Sequence, residues 1–162
     1  MKNSILHLIF LIIFTGCGSV SKENPKLYEL KSYQFKNIDP KGYKILKTAD
    51  EMIKNRVIIR GSCWDFVNAV YEKAGFPKQK RVTIAKTSKR GSINPKILKP
   101  GDWIYHINLS YRNVEHSAIF VKWIDFKNKK ALTISYAGER RKAPARYKIY
   151  DLSRIYTVIR PK

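Results

Sequence analysis

Arg60-Gly61-Ser62-Cys63-Trp64-Asp65-Phe66-Val67-Asn68-Ala69-Val70-Tyr71-Glu72-Lys73-Ala74-Gly75-Phe76-Pro77 carries the strongest helix signal in the chain. Phe66, Val67, Val70, Tyr71 and Ala74 follow the i, i+3, i+4, i+7 spacing of one buried face. Ser62 is a good N-cap, and Asp65 stands three residues on, where Glu usually completes a capping box. Gly75 suits the position just past a helix end, and Pro77 blocks continuation. The pattern predicts a helix over residues 62–74, with Cys63 in its first turn.

Upstream, Thr48-Ala49-Asp50-Glu51 reads as a capping box opening a short helix to about Arg56. Downstream, residues 77–99 are basic, contain Gly91 and Pro95, and show little periodicity, which predicts a long loop. Lys99-Pro100-Gly101-Asp102 is a turn signal. Strand-like runs follow: Trp103 to Ile107, His116 to Phe126, Ala131 to Ala137, Arg146 to Tyr150 and Arg154 to Ile159. Lys127-Asn128-Lys129 marks a hairpin tip. No repeat is present. Helices first and then about five short strands predict an α+β domain, the helices packed on an antiparallel sheet.

The N-terminus is of a different kind. Met1-Lys2-Asn3 is short and positive, and Ser4 to Phe14 is apolar apart from Ser4 and His7. At roughly 11 residues this segment is too short to span a ~30 Å hydrocarbon core and fits the apolar region of an export signal. Phe14-Thr15-Gly16-Cys17 resembles a bacterial lipobox, with Phe14 where Leu is usual. The resemblance implies cleavage after residue 16 and acylation of Cys17. Residues 1–16 then form the signal peptide, 17–47 a polar tether and N-terminal extension, and 48–162 the domain. The expected location is the cell envelope, lipid-anchored. In a Gram-negative cell it is the outer membrane, because Gly18 rather than Asp follows the modified cysteine.

The chain carries 33 basic against 12 acidic residues, a net charge of +21. Such a surface attracts polyanions. An envelope lipoprotein does not ordinarily meet nucleic acid, so the expected partner is peptidoglycan or another anionic envelope polymer, besides the membrane that holds the lipid. The bland alternative is that the charge serves solubility alone. A monomer is expected. No set of closely spaced Cys, His and acidic residues suits a metal, and no glycine-rich phosphate loop occurs, so no cofactor is expected.

Of the two cysteines, Cys17 is spent on the lipid, leaving Cys63 as the lone thiol of an exported domain. A helix N-terminus and a nearby imidazolium each lower a thiol pKa. His116 opens a predicted strand in Val114-Glu115-His116-Ser117-Ala118-Ile119-Phe120. Nucleophile, base and a third group that orients the base make a thiol hydrolase. His106 is the competing base. An inert, buried Cys63 is the competing reading of the thiol.

Three motifs in order resemble the NlpC-type cell-wall peptidases and the related CHAP amidases, which are papain-like cysteine hydrolases. They are Cys63 with Phe66-Val67, then Leu98-Lys99-Pro100-Gly101-Asp102-Trp103, then His116-Ser117-Ala118-Ile119. The resemblance covers about residues 57–160. It implies a papain-like core, Cys63 as nucleophile, His116 as base, and cleavage of amides in peptidoglycan stem peptides. It also implies an orienting residue on the strand after His116. That stretch, Thr133 to Glu139, holds no His, Asn or Gln; Ser135, Tyr136 and Glu139 are the candidates. Ser62 and Trp64-Asp65 replace the Asp and Ser-Gly that often flank the family's cysteine. A catalytically idle wall- or protein-binding module, or a thiol hydrolase or acyltransferase acting on lipid, are the other readings left open. Stem carboxylates would meet basic residues of the 78–99 segment or Arg140-Arg141-Lys142.

Overall fold

The structure, a computed structural model, describes residues 38–162. The expected signal peptide, Cys17 and the expected tether as far as residue 37 lie outside the described residues. Two α-helices and six strands form the described part: α1 (Pro40–Lys54), α2 (Cys63–Lys73), β1 (Arg81–Lys86), β2 (Trp103–Asn108), β3 (Val114–Asp125), β4 (Lys130–Ser135), β5 (Arg146–Asp151) and β6 (Ile155–Pro161). The strands make one antiparallel sheet in the order β1-β6-β2-β3-β4-β5. The class is α+β, as expected.

Helix α1 starts at Pro40 rather than at Thr48. The Asp39 carboxylate accepts from the amides of Lys41 and Gly42 at 2.9 and 3.3 Å, and Pro40 occupies the first helical position, where its missing N–H costs nothing. Thr48 lies inside the helix, its hydroxyl donating to the Lys44 carbonyl. Ile45, Leu46, Ala49 and Met52 form its buried stripe, so part of the expected extension belongs to the core. Helix α2 follows the sequence reading: Ser62 caps it, and Asp65 completes the box by accepting from the Ser62 amide at 2.7 Å.

The two faces of the sheet are buried differently. Trp103, Ile119, Val121, Ile134 and Tyr147 pack under the helices with Phe66, Val70 and Tyr71. Ile104, Ala118, Phe120, Tyr150 and Val158 face the other way and are covered by Ile93, Leu98 and Leu152. Residues 77–99 are therefore not simply a loop. Their first part is β1, paired with β6 at the sheet edge, and their second part lies over the back face. β1 is an edge strand with Val82 and Ile84 exposed, which removes the alternation of a half-buried strand.

The Pro100-Gly101-Asp102 turn is the joint between helices and sheet. Gly101 adopts φ +92° and lies so close to Gly42 that a Cβ would sit 2.6 Å from the Gly42 Cα. The buried Tyr71 hydroxyl donates to the Gly101 carbonyl at 2.7 Å and accepts from the Trp103 amide at 2.9 Å. Asp102 accepts from the Lys99 amide and receives a two-pronged ion pair from Arg160, both contacts at 2.7 Å. Its carboxylate is thus committed to the turn. Tyr71→Phe leaves a buried N–H and C=O short of a partner, which costs about 1–3 kcal/mol. Urea denaturation of wild type and variant should show that loss with an unchanged slope.

Candidate active site at the start of helix α2

Cys63 is the first residue of α2, and its position is set from both sides. Gly61 has φ +110°, and a Cβ there would lie 2.4 Å from an Asp65 carboxylate oxygen, so the capping box depends on glycine. After β4 the chain crosses over this loop. The Tyr136 hydroxyl donates to the Ile59 carbonyl at 2.7 Å, and the Glu139 amide donates to the Gly61 carbonyl at 2.9 Å. These bonds hold the helix start against the end of the sheet. β4 ends at Ser135, opposite Ala118. One residue earlier on β3, the Ser117 amide donates instead to Sγ of Cys63 at 3.4 Å.

His116 pairs across the ladder with His106 of β2, and Ala118 pairs with Ser135 of β4. Strand alternation therefore sends His106, His116 and Ser135 to the back face, together with Tyr150 of β5. His116 Nε2 lies 2.8 Å from Ser135 Oγ and 3.3 Å from the Tyr150 hydroxyl, and the two hydroxyls are 3.1 Å apart. Both hydroxyls engage the same ring nitrogen, which leaves Nδ1 outside this network. Among the described residues no hydrogen bond joins the imidazole to Sγ. The two groups line one cavity of about 600 Å³, with Ser62, Ser135, Tyr150 and Asn108 also on its wall.

Of the three orienting candidates, only Ser135 is hydrogen-bonded to His116. Tyr136 is a correction: its ring stacks on Phe66 with centroids 5.2 Å apart and its hydroxyl is used by Ile59. Glu139 is another. It sits exposed in a single 3-10 turn, Glu139–Arg141, and makes no bond to the imidazole. Tyr150 was missed by sequence reasoning. Alternation along β5 puts Arg146, Lys148 and Tyr150 on one face of the strand, and the β4–β5 register, which neither strand reveals alone, makes that the face of Ser135. His106 is fully buried, edge-on to His116 with centroids 5.5 Å apart, and does not line the cavity.

The electrostatics run against the expectation of an activated thiolate. Burial pushes the Cys63 thiol up, against the lowering effect of the Ser117 and Trp64 amides. Burial, with the charges of Lys148 and Arg146 added to His106, brings the His116 pKa down to about 3. The resting pair is a neutral thiol and a neutral imidazole. Among the described residues no group of Cys, His and acidic side chains is arranged to hold a metal ion. No family model, no curated protein and no solved structure shows a significant match to the chain.

Two outcomes follow from these protonation states. At pH 6.5 iodoacetamide should alkylate Cys63 more slowly than free cysteine, and the rate should climb steadily as pH rises through the alkaline range. A rate already at its plateau at pH 6.5 would show a preformed thiolate. The histidines also set acid stability. Burial, above all, takes His106 down to about 4. Between pH 6.5 and these lowered values the unfolded chain binds more protons than the folded one. Stability is therefore full above pH 6.5 and falls as pH drops, by on the order of 3 kcal/mol for a shift of His106's size. Urea midpoints measured from pH 7 to 4 should show this fall, and His106→Leu should reduce it by about half.

Proposed function

We propose that the protein is a papain-like thiol hydrolase of the cell envelope, held to the membrane by acylated Cys17 and acting on amide bonds in peptidoglycan stem peptides. The observation that carries this reading is the cavity that collects Cys63, at the first position of α2, with His116 and its Ser135–Tyr150 hydroxyl pair. The ordered trio of Cys63, Leu98-x-Pro-Gly-Asp102 and His116 supports the same reading. So does the basic surface, which suits a polymer rich in carboxylates.

In this reading Nε2 carries the imidazole proton and donates to Ser135 Oγ, so Nδ1 is the basic nitrogen. The Cys63 thiol gives its proton to Nδ1 as Sγ attacks the carbonyl carbon. The backbone N–H of Cys63, in the first turn of α2 where amides lack intrahelical partners, faces the developing oxyanion. The proton then passes to the leaving amine, the C–N bond breaks, and a thioester remains. Water, deprotonated by His116, cleaves the thioester and restores the thiol and the free carboxylic acid. Because both groups start neutral, the base works as the attack proceeds rather than before it.

The absence of a hydrogen bond between Sγ and the imidazole favours one other reading, an idle module of the same fold that binds wall material. One experiment separates them. Purified protein is incubated with peptidoglycan, and released fragments are identified by mass. Wild type should release stem-peptide fragments, and Cys63→Ala should release none. His116→Ala should be within about tenfold of that loss, since nucleophile and base act as a unit. Ser135→Ala should lower kcat/KM by roughly 10- to 100-fold, because Tyr150 alone then holds the ring. Release by Cys63→Ala rules out the thiol mechanism. No release by wild type on walls from several species selects the idle module.

A further inference from the structure

We infer that the cavity beside Cys63 contains a subsite for a substrate carboxylate, formed by Arg146 and Lys148 of β5 with Arg141 from the turn after β4. These three cations line the cavity, and no acidic side chain does. Of the ten acids among the described residues, eight are committed elsewhere, and the other two, Glu51 and Glu139, are exposed and do not line the cavity. Asp50 pairs with Lys54, Glu72 with Arg81, Glu115 with Lys89, Asp151 with Lys130 and Asp102 with Arg160. Asp39 and Asp65 cap helices, and Asp125 holds the β3–β4 turn through Asn128. The positive charge over the cavity is left without a counterion from the wall.

The placement is built into the strand. Alternate residues of β5 share a face, so Arg146, Lys148 and Tyr150 form one row, opposite Ser135, Thr133 and Ala131 in the ladder. Lys148 Nζ stands 4.6 Å from the centre of the Tyr150 ring, whose hydroxyl contacts His116. An anion bound by this row lies next to the base. The segment 78–99, the other basic candidate in the sequence, contributes no residue to the cavity wall. Of Arg140-Arg141-Lys142 only Arg141 does.

A peptide fits this wall better than a lipid headgroup does. Asn108, Ser62 and Ser110 add amide and hydroxyl groups along the same cavity, which suits a chain of amide bonds with an acidic side group. The subsite takes its substrate from the hydrolase reading above. It adds that the bond cut lies close to a free carboxylate. It also gives the base a switch: Lys148 and Arg146 help to keep His116 uncharged, and a bound carboxylate offsets them, so the imidazole gains basicity when the right substrate arrives.

The test uses the full protein and one peptidoglycan stem tetrapeptide in two forms, with free carboxylates and with those carboxylates converted to carboxamides. Binding to Cys63→Ala is measured by calorimetry, and kcat/KM is measured on wild type. The free acid should bind about tenfold more tightly, a preference that shrinks as salt is raised. Arg146→Gln and Lys148→Gln should each remove most of it, and Lys86→Gln on β1 should not. On wild type the amidated peptide should lose kcat as well as affinity. Equal binding of the two forms, or a preference that survives both β5 substitutions, overturns the subsite. Tighter, β5-dependent binding of phosphatidylglycerol vesicles than of the acidic peptide overturns its assignment to a peptide. Selective binding without any hydrolysis by wild type keeps the subsite and sinks the hydrolase. Hydrolysis that ignores amidation does the reverse.

Discussion

The hydrogen bond from the Ser117 amide to Cys63 Sγ is the contact around which the site is arranged. It exists because β4 leaves the sheet at Ser135 and frees one edge of β3. A helix start can occupy that gap only if its approach is short and fixed. Gly61 at φ +110°, the Ser62–Asp65 box and the bonds from Tyr136 and Glu139 to the loop supply that constraint. The rest of the architecture holds the pieces in register. Tyr71 ties the middle of α2 to the Pro-Gly-Asp turn, so helix and sheet cannot slide relative to each other without breaking buried bonds.

Burial, rather than the helix dipole, sets the protonation state of the pair. A charge at a helix N-terminus gains about 0.3–1 kcal/mol at an exposed site. Removing an ionised group from water costs more, enough to move a buried pKa by as much as roughly 3–5 units. Cys63 is only half-buried, yet desolvation is its largest influence, and the nearby amides offset only part of it. His116 is held neutral by the same cause and by positive neighbours. The cavity wall supplies no carboxylate that would favour the imidazolium.

Much of this was legible in the sequence, for reasons that can be named. Helix α2 is capped by its own residues and buries a regular stripe, so local and global signals agree. β2, β4 and β6 run largely buried because both of their faces are covered, while β3 and the edge strand β5 are covered only in part. The edge strand β1 carries a short strand signal in Val82-Thr83-Ile84, but it lies within a basic stretch and exposes Val82 and Ile84. The start of α1 was missed because lysines interrupt its stripe, although Asp39-Pro40 is itself a start signal. At the site, Cys63 and His116 were legible from their motifs and Ser135 from its place one strand on. Tyr150 and the Arg146–Lys148 row were not, because what brings them to His116 is the β4–β5 register, and register depends on pairing rather than on either strand alone.

Hydroxyls hold the His116 imidazole differently from the amide or second imidazole that the sequence resemblance implies at this place. An Asn carbonyl accepts from a histidine N–H and cannot donate back to that nitrogen, so it fixes one tautomer. A serine hydroxyl both donates and accepts. With Tyr150 beside it, the Ser135 pair can serve either tautomer of His116 by rotating its hydrogens. Tautomer choice then passes to what meets Nδ1. A thiol in front of that nitrogen needs a lone pair there and selects the Nε2–H form. An empty cavity makes no such demand. The network therefore positions the ring while leaving its proton to be set by the groups that enter the site; in the proposed mechanism this is the condition under which a carboxylate held at Lys148 and Arg146 has the most influence on His116.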